Sequence, residues 1–226
     1  MTLPILSPAE ARVLGVLIEK QRTVPDSYPL TLNSLLAGCN QKTSRHPVME
    51  LSEAQAQDAL DSLRRQSLID ESSGGRALRY GHNADRVLRL PSQSVILLAV
   101  LMLRGPQTAG ELRIASDRMH NFADISSVEG FLDEMAERAA GALVVKLPRL
   151  PGAREARWAH LLSGEVEVPA ASAEPVSGGA GSSTDVAAGE VAALRAQVSR
   201  LEGELAHLKG LVARVYAELG LEESAG

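Results

Sequence analysis

The chain has little of several things, and each shortage narrows what it can be. Among 226 residues there is one cysteine, aromatic residues make up 3%, and the net charge is -5. The lone thiol, Cys39, admits neither an intramolecular disulfide nor a cysteine-based zinc site, each of which needs at least two cysteines. With so few aromatic side chains, any core is built mainly of Leu, Val and Ala, which favours helices. No apolar run approaches the ~18 residues of a membrane-spanning helix, and the N-terminus has no cationic segment followed by an apolar stretch and a cleavage site. A protein of the reducing cytoplasm, without a membrane partner, is expected. Metal ligation is equally undersupplied: His46, His82, His120, His160 and His207 are scattered without ligand spacing. No nucleophile stands beside a base, and Gly74-Gly75 lies in a turn rather than between a strand and a helix, where a phosphate loop belongs. The chain is therefore expected not to be an enzyme and to need no cofactor.

Basic excess is missing too. Residues 1–164 hold 19 Lys/Arg against 18 Asp/Glu, and residues 165–226 hold 4 against 10. Strong polyanion binders usually carry a clear positive surplus, so any nucleic-acid contact must come from a local cluster.

What is present is a repeated order of elements. Ser7-Pro8-Ala9-Glu10 is a helix start, with Ser at the cap, Pro at the first helical position and Glu placed to reach back; Val13, Leu14, Leu17 and Ile18 follow at helical spacing. The two prolines of Thr23–Pro29 make an extended or looped strut. A second helix is predicted from about Thr31 to Cys39. Ser52 and Gln55 box the start of a third, with Ala56, Ala59, Leu60 and Leu63 inward. Leu68-Ile69 and Leu78-Arg79-Tyr80 then read as a hairpin around Ser72-Ser73-Gly74-Gly75. Three helices and a hairpin in this order make a winged helix. The order recurs: a helix over Pro91–Leu103, a short one boxed by Thr108 and Glu111, a third capped by Ser126 with Glu129, and a hairpin over Leu143–Leu147 and Ala156–Leu162.

From Glu165 the composition collapses to Ala, Gly, Ser, Pro and Val, as in a disordered linker. Beyond it Val191, Leu194, Val198, Leu201, Leu205, Leu208, Val212, Val215 and Leu219 alternate steps of three and four. That is a coiled-coil seam, and it needs a partner; β-branched residues Val191, Val198 and Val212 at one core position and Leu194, Leu201 and Leu208 at the other favour a two-stranded form, expected as a homodimer. The fold class expected is mainly α with small β-hairpins (α+β): winged-helix domains at 1–85 and 86–164, a linker at 165–189 and a coiled-coil helix at 190–221.

The residues Leu14-Gly-Val-Leu-Ile-Glu-Lys20, Pro25-Asp-Ser-Tyr-Pro-Leu30, Cys39-Asn-Gln-Lys-Thr-Ser-Arg45, Pro47-Val-Met49, Arg104-Gly-Pro-Gln-Thr108, Gly110-Glu-Leu-Arg113 and Leu147-Pro-Arg149 with Pro151-Gly152 resemble the YceH-like family of uncharacterised bacterial proteins over residues 5 to 164. The resemblance implies a tandem winged-helix fold and, by analogy of fold, a DNA-binding or transcription-regulatory role.

The candidate contacts to double-stranded DNA are the polar run Asn40, Gln41, Lys42, Thr43, Ser44 and Arg45, the first wing's Arg76 and Arg79, the second wing's Arg149, Arg154 and Arg157, and Arg113 and Arg118 beside the corresponding second loop. The competing reading of Asn40–Arg45 is a polar turn whose side chains satisfy backbone. Cys39 reads as a small buried thiol. Acids on both third helices, Glu53, Asp58 and Asp61 in one and Glu129, Asp133, Glu134 and Glu137 in the other, oppose phosphate. They leave three options: the acids turn away, the loop and wings make the contacts, or the winged helices form a scaffold that docks a protein partner.

Overall fold

A computed structural model describes residues 5–74, 77–149 and 152–166. The heptad residues Val191–Leu219, the linker from residue 167 onward and Arg76 lie outside the described residues. Among those described are seven α-helices and two small antiparallel sheets, a mixed α+β architecture.

Helix α1, Pro8–Thr23, starts as its sequence dictates: Ser7 accepts from the Glu10 amide at 3.2 Å while the Glu10 carboxylate accepts from the Ser7 amide. A short 3₁₀ turn, Pro25–Ser27, leads into β1, Leu30–Thr31, and Thr31 caps α2, Leu32–Cys39. Helix α3, Glu53–Arg65, has the expected Ser52/Gln55 box. Strands β2, Ile69–Gly74, and β3, Ala77–His82, form the first hairpin, paired from Ile69↔His82 to Gly74↔Ala77. Pairing thus runs past Ser72 and Ser73, which the sequence assigns to the turn. Strand β1 adds to the other side of β3, Leu30 opposite Tyr80, giving the order β1-β3-β2. After the five-residue α4, Ala84–Leu88, the order returns: α5, Ser92–Arg104; α6, Ala109–Ser116, with the Thr108/Glu111 box; α7, Ile125–Ala136; and β4, Val144–Lys146, paired with β5, Trp158–His160.

The second half copies a detail of the first. Gln107 bridges to Trp158, its amide donating to the Trp158 carbonyl at 3.0 Å and its carbonyl accepting at 2.7 Å, and the next residue, Thr108, caps α6. Leu30–Thr31 does the same against β3 before capping α2. One expectation is corrected: Asp124 caps α7, accepting from the Ser127 amide at 2.7 Å, and Ser126 lies inside the first turn.

Why the halves stand together is plain from α1 and α5. Residues 10–18 of α1 and 94–103 of α5 are buried on every side, as only central helices are. They pack against each other so closely that a side chain at Gly15 would begin 3.0 Å from Leu103 Cγ. On the other flank of α1, a Cβ at Gly38 of α2 would meet Val16 Cγ1 at 2.7 Å. The core runs without a break from Leu14, Leu35 and Leu60 through Leu97 and Leu101 to Leu112, Leu132 and Trp158. The two halves, each of three main helices and a hairpin, are therefore two turns of topology around one core, within a single compact unit.

Candidate nucleic-acid interface

The polar run after α2 does not stand free. Asn40 closes it, its amide nitrogen donating to the Leu51 carbonyl at 2.9 Å and its oxygen accepting from the Leu51 amide at 2.8 Å. Arg12, buried in α1, reaches across to the Cys39 carbonyl at 2.9 Å and to the Pro47 carbonyl. Arg45 is buried as well. Its Nε donates to the Gly38 carbonyl at 3.2 Å, and its two terminal nitrogens donate to the Glu19 carboxylate at 2.9 and 3.0 Å. Burial alone would raise the Glu19 pKa, but the bonds from Arg45 and Lys20 outweigh it and hold the carboxylate below its ordinary range. The far end of the loop is tied to the second half: the His46 amide donates to the Leu103 carbonyl at 2.8 Å, and Arg104 donates to the Ser44 hydroxyl at 2.9 Å.

This loop is a clamp between halves, which corrects the expectation for two of its residues. Arg45 cannot meet a phosphate without abandoning a buried ion pair, and Asn40 has both ends of its amide engaged. Gln41 donates to Thr43 Oγ1 at 3.1 Å, which leaves Lys42, Thr43 and Ser44 as the exposed side chains of the run. Burial pushes the Cys39 thiol up to about 12, so it is an inert core group.

Two further candidates are braces. Arg79 donates to the Pro29 carbonyl at 2.8 Å, fastening β3 to the strut, where the Tyr28 hydroxyl also accepts from the His82 amide at 2.6 Å. Arg113 donates to the Phe122 and Ala123 carbonyls at 3.1 and 3.2 Å and so holds the α6–α7 loop as Asn40 holds the α2–α3 loop. Arg118 is exposed in that second loop.

The third helices do not hide their acids. Glu53 and Asp58 of α3 face solvent, and so do Asp133, Glu134 and Glu137 at the end of α7. The Arg64 guanidinium, the basic end of α3, is already held by Asp61 at 3.6 Å and by Glu71 of β2.

The second hairpin differs from all of this. Arg149, Arg154 and Arg157 are exposed, and among the described residues no carboxylate pairs with them. Lys146 joins them, its ammonium 5.2 Å from the centre of the Trp158 ring. Sequence reading missed Lys146; its signal was a lone cation on a short strand that alternates with buried Val144. Lys146, Arg149 and Arg154, with the carboxylate of Glu155 beside them, line a cleft of about 250 Å³ whose other wall is the N-terminal part of α7, Ile125 and Glu129. Cations on a β-arm thus stand beside the start of a helix.

Residues 6–153 match DUF480, described as a protein of unknown function. A UPF0502 protein of Delftia acidovorans is 58% identical over 221 residues, which cover 96% of this chain and 94% of that protein. UPF0502 proteins of Burkholderia orbicola and Burkholderia ambifaria are 56% and 57% identical over 220 residues, covering 97% of this chain and 92% of each relative.

Proposed function

The chain belongs to the DUF480 (UPF0502) family of uncharacterised bacterial proteins, and we propose that it is a duplex-DNA-binding protein of regulatory type, built on two winged helices that share a core. The observation that carries this reading is the exposed cation set Lys146, Arg149, Arg154 and Arg157 on the second hairpin, next to the N-terminal turn of α7. In a winged helix the third helix enters the major groove and the wing touches the flanking backbone. The second half suits that geometry better than the first in its hairpin: its exposed cations are without an ion pair among the described residues, whereas Arg79 of the first is held by the Pro29 carbonyl, and both third helices begin beside a carboxylate, Glu53 in α3 and Asp124 in α7. Lys42 and Arg118 are the remaining exposed cations of the two loops and would add outlying phosphate contacts.

A salt titration of fluorescence polarisation on labelled duplex tests it. Four phosphate contacts give a slope of log affinity on log salt near roughly -3.6, at about -0.9 per contact. Binding no tighter than about 10⁻⁴ M at low salt removes the proposal, being ordinary non-specific attraction.

The heptad spacing of residues 191–219 supports pairing of two chains. Removal of residues 190–226 should halve the mass seen by light scattering, and an unchanged mass rejects the pairing.

A second reading, a protein-docking scaffold, is favoured by one observation: α3 presents Glu53 and Asp58 to solvent where a groove-reading helix would be neutral or basic. Recovery of one stoichiometric protein partner, insensitive to nuclease, together with no duplex affinity, selects it.

A further inference from the structure

A clamp that held phosphate alone would gain nothing from a carboxylate or an exposed aliphatic side chain in its cleft, yet this one has both. Ile125 is 44% exposed at the first position of α7, and Glu129 is one turn on, so the two share a face. Both line the cleft that Lys146, Arg149 and Arg154 close on the opposite side. Ile125 Cδ1 lies over Gly110 of α6, 3.8 Å from where a side chain there would begin. Glu129 makes no ion pair among the described residues, although cations line the same cleft. An acid left unpaired there lowers affinity for any polyanion, and an exposed Ile at a helix start offers no cap.

Both residues have work to do if α7 touches base edges. In the major groove, cytosine presents its N4 amino group, which a carboxylate accepts, and thymine presents a C5 methyl group, which an apolar side chain covers. We propose that Ile125 and Glu129 are the base-reading residues of the second half, selecting a thymine and a cytosine, with the wing cations anchoring the adjoining backbone. A separation of four residues is about 6 Å along a helix, and successive bases are about 3.4 Å apart, so the two bases lie within two steps of each other. The inference rests on the DNA-binding reading above and gives it a sequence class: duplexes with neighbouring T and C, rather than A·T-rich or G-rich tracts.

The test uses the full chain and a pool of random duplexes at moderate salt, with affinities then measured by polarisation. The wild type should enrich sites holding T and C within two steps. Replacing that thymine by deoxyuridine removes only the methyl group, and should weaken the wild type about fourfold, the factor one buried carbon supplies, while leaving Ile125→Ala unchanged. Glu129→Gln should lose about fivefold in discrimination for cytosine while its overall duplex affinity rises, because a repelling charge is gone. Both positions are on the open face of α7, and far-ultraviolet circular dichroism checks that each variant is folded. Duplex binding without sequence enrichment, or an equal deoxyuridine effect in Ile125→Ala, overturns the base-reading assignment and leaves the wing contact standing. No duplex binding by the wild type overturns both.

Discussion

Arg45 and Glu19 meet through two parallel hydrogen bonds of 2.9 and 3.0 Å, with the guanidinium wholly enclosed. The pair ties the α2–α3 loop to α1, and its loss should be felt in stability before anything else. Arg45→Ala leaves the Glu19 carboxylate to Lys20 alone and takes the side-chain donor from the Gly38 carbonyl; a cost of about 3 kcal/mol is expected, measured by urea denaturation. Because the folded protein holds the Glu19 pKa below its unfolded value, the stabilisation is complete above that unfolded value and disappears as pH falls through the folded one. The wild type should therefore lose stability below about pH 4.5 more steeply than Glu19→Gln. Parallel acid profiles for the two proteins would falsify the linkage.

Changing Arg149, Arg154 and Arg157 together to Ala should lower the salt slope of duplex binding by about 2.7, since each lost phosphate contact removes about 0.9. Thermal stability should move little, because these side chains are exposed. Lys42→Ala should lower the slope by at most about 0.9. Equal effects from the single and the triple change would move the contact surface to the first half.

Asn40 serves both backbone groups of Leu51. Asn40→Ala leaves an amide and a carbonyl without partners in a half-buried site, at a cost of about 1–3 kcal/mol. Asn40→Asp keeps the acceptor and loses the donor, and should fall between. Hydrogen exchange at the Leu51 amide is the local readout: protection that survives in Asn40→Ala contradicts the role.

Cys39 is buried and its thiol is pushed up to about 12. Ellman's reagent should react with the native protein only at the rate of opening and with the urea-unfolded chain at once. Rapid labelling under native conditions would mean that the end of α2 is not covered as described.

Local signals were the legible ones. Ser7, Ser52 and Thr108 announced their helices because a capping box is complete within four residues. Strand β1 was illegible because two residues become a strand only when β3 lies beside them, and its only local trace was the run of prolines before it. Asp124 was passed over for Ser126 because either side chain can cap, and residues that close together offer the same local signal. The error over Arg45 has a different origin. Nothing near it in the chain says that its counterion is Glu19, 26 residues away, so a buried cation and a solvent-facing one look alike in sequence. The shared core had left a mark: Val95–Leu103 carries no polar side chain on any face, so α5 must be covered all round, and α1 covers the side that α6, α7 and β5 leave open.

The contact at Gly15 and Leu103 has a mechanical consequence. Two lobes joined by a flexible tether could adjust their separation to whatever they grip, but lobes keyed together along their central helices cannot pivot. The distance and angle between the two β-arms are then fixed like the jaws of a caliper. A signal reaching such a protein would have to change the arms themselves, or what reaches them, rather than swing one lobe against the other.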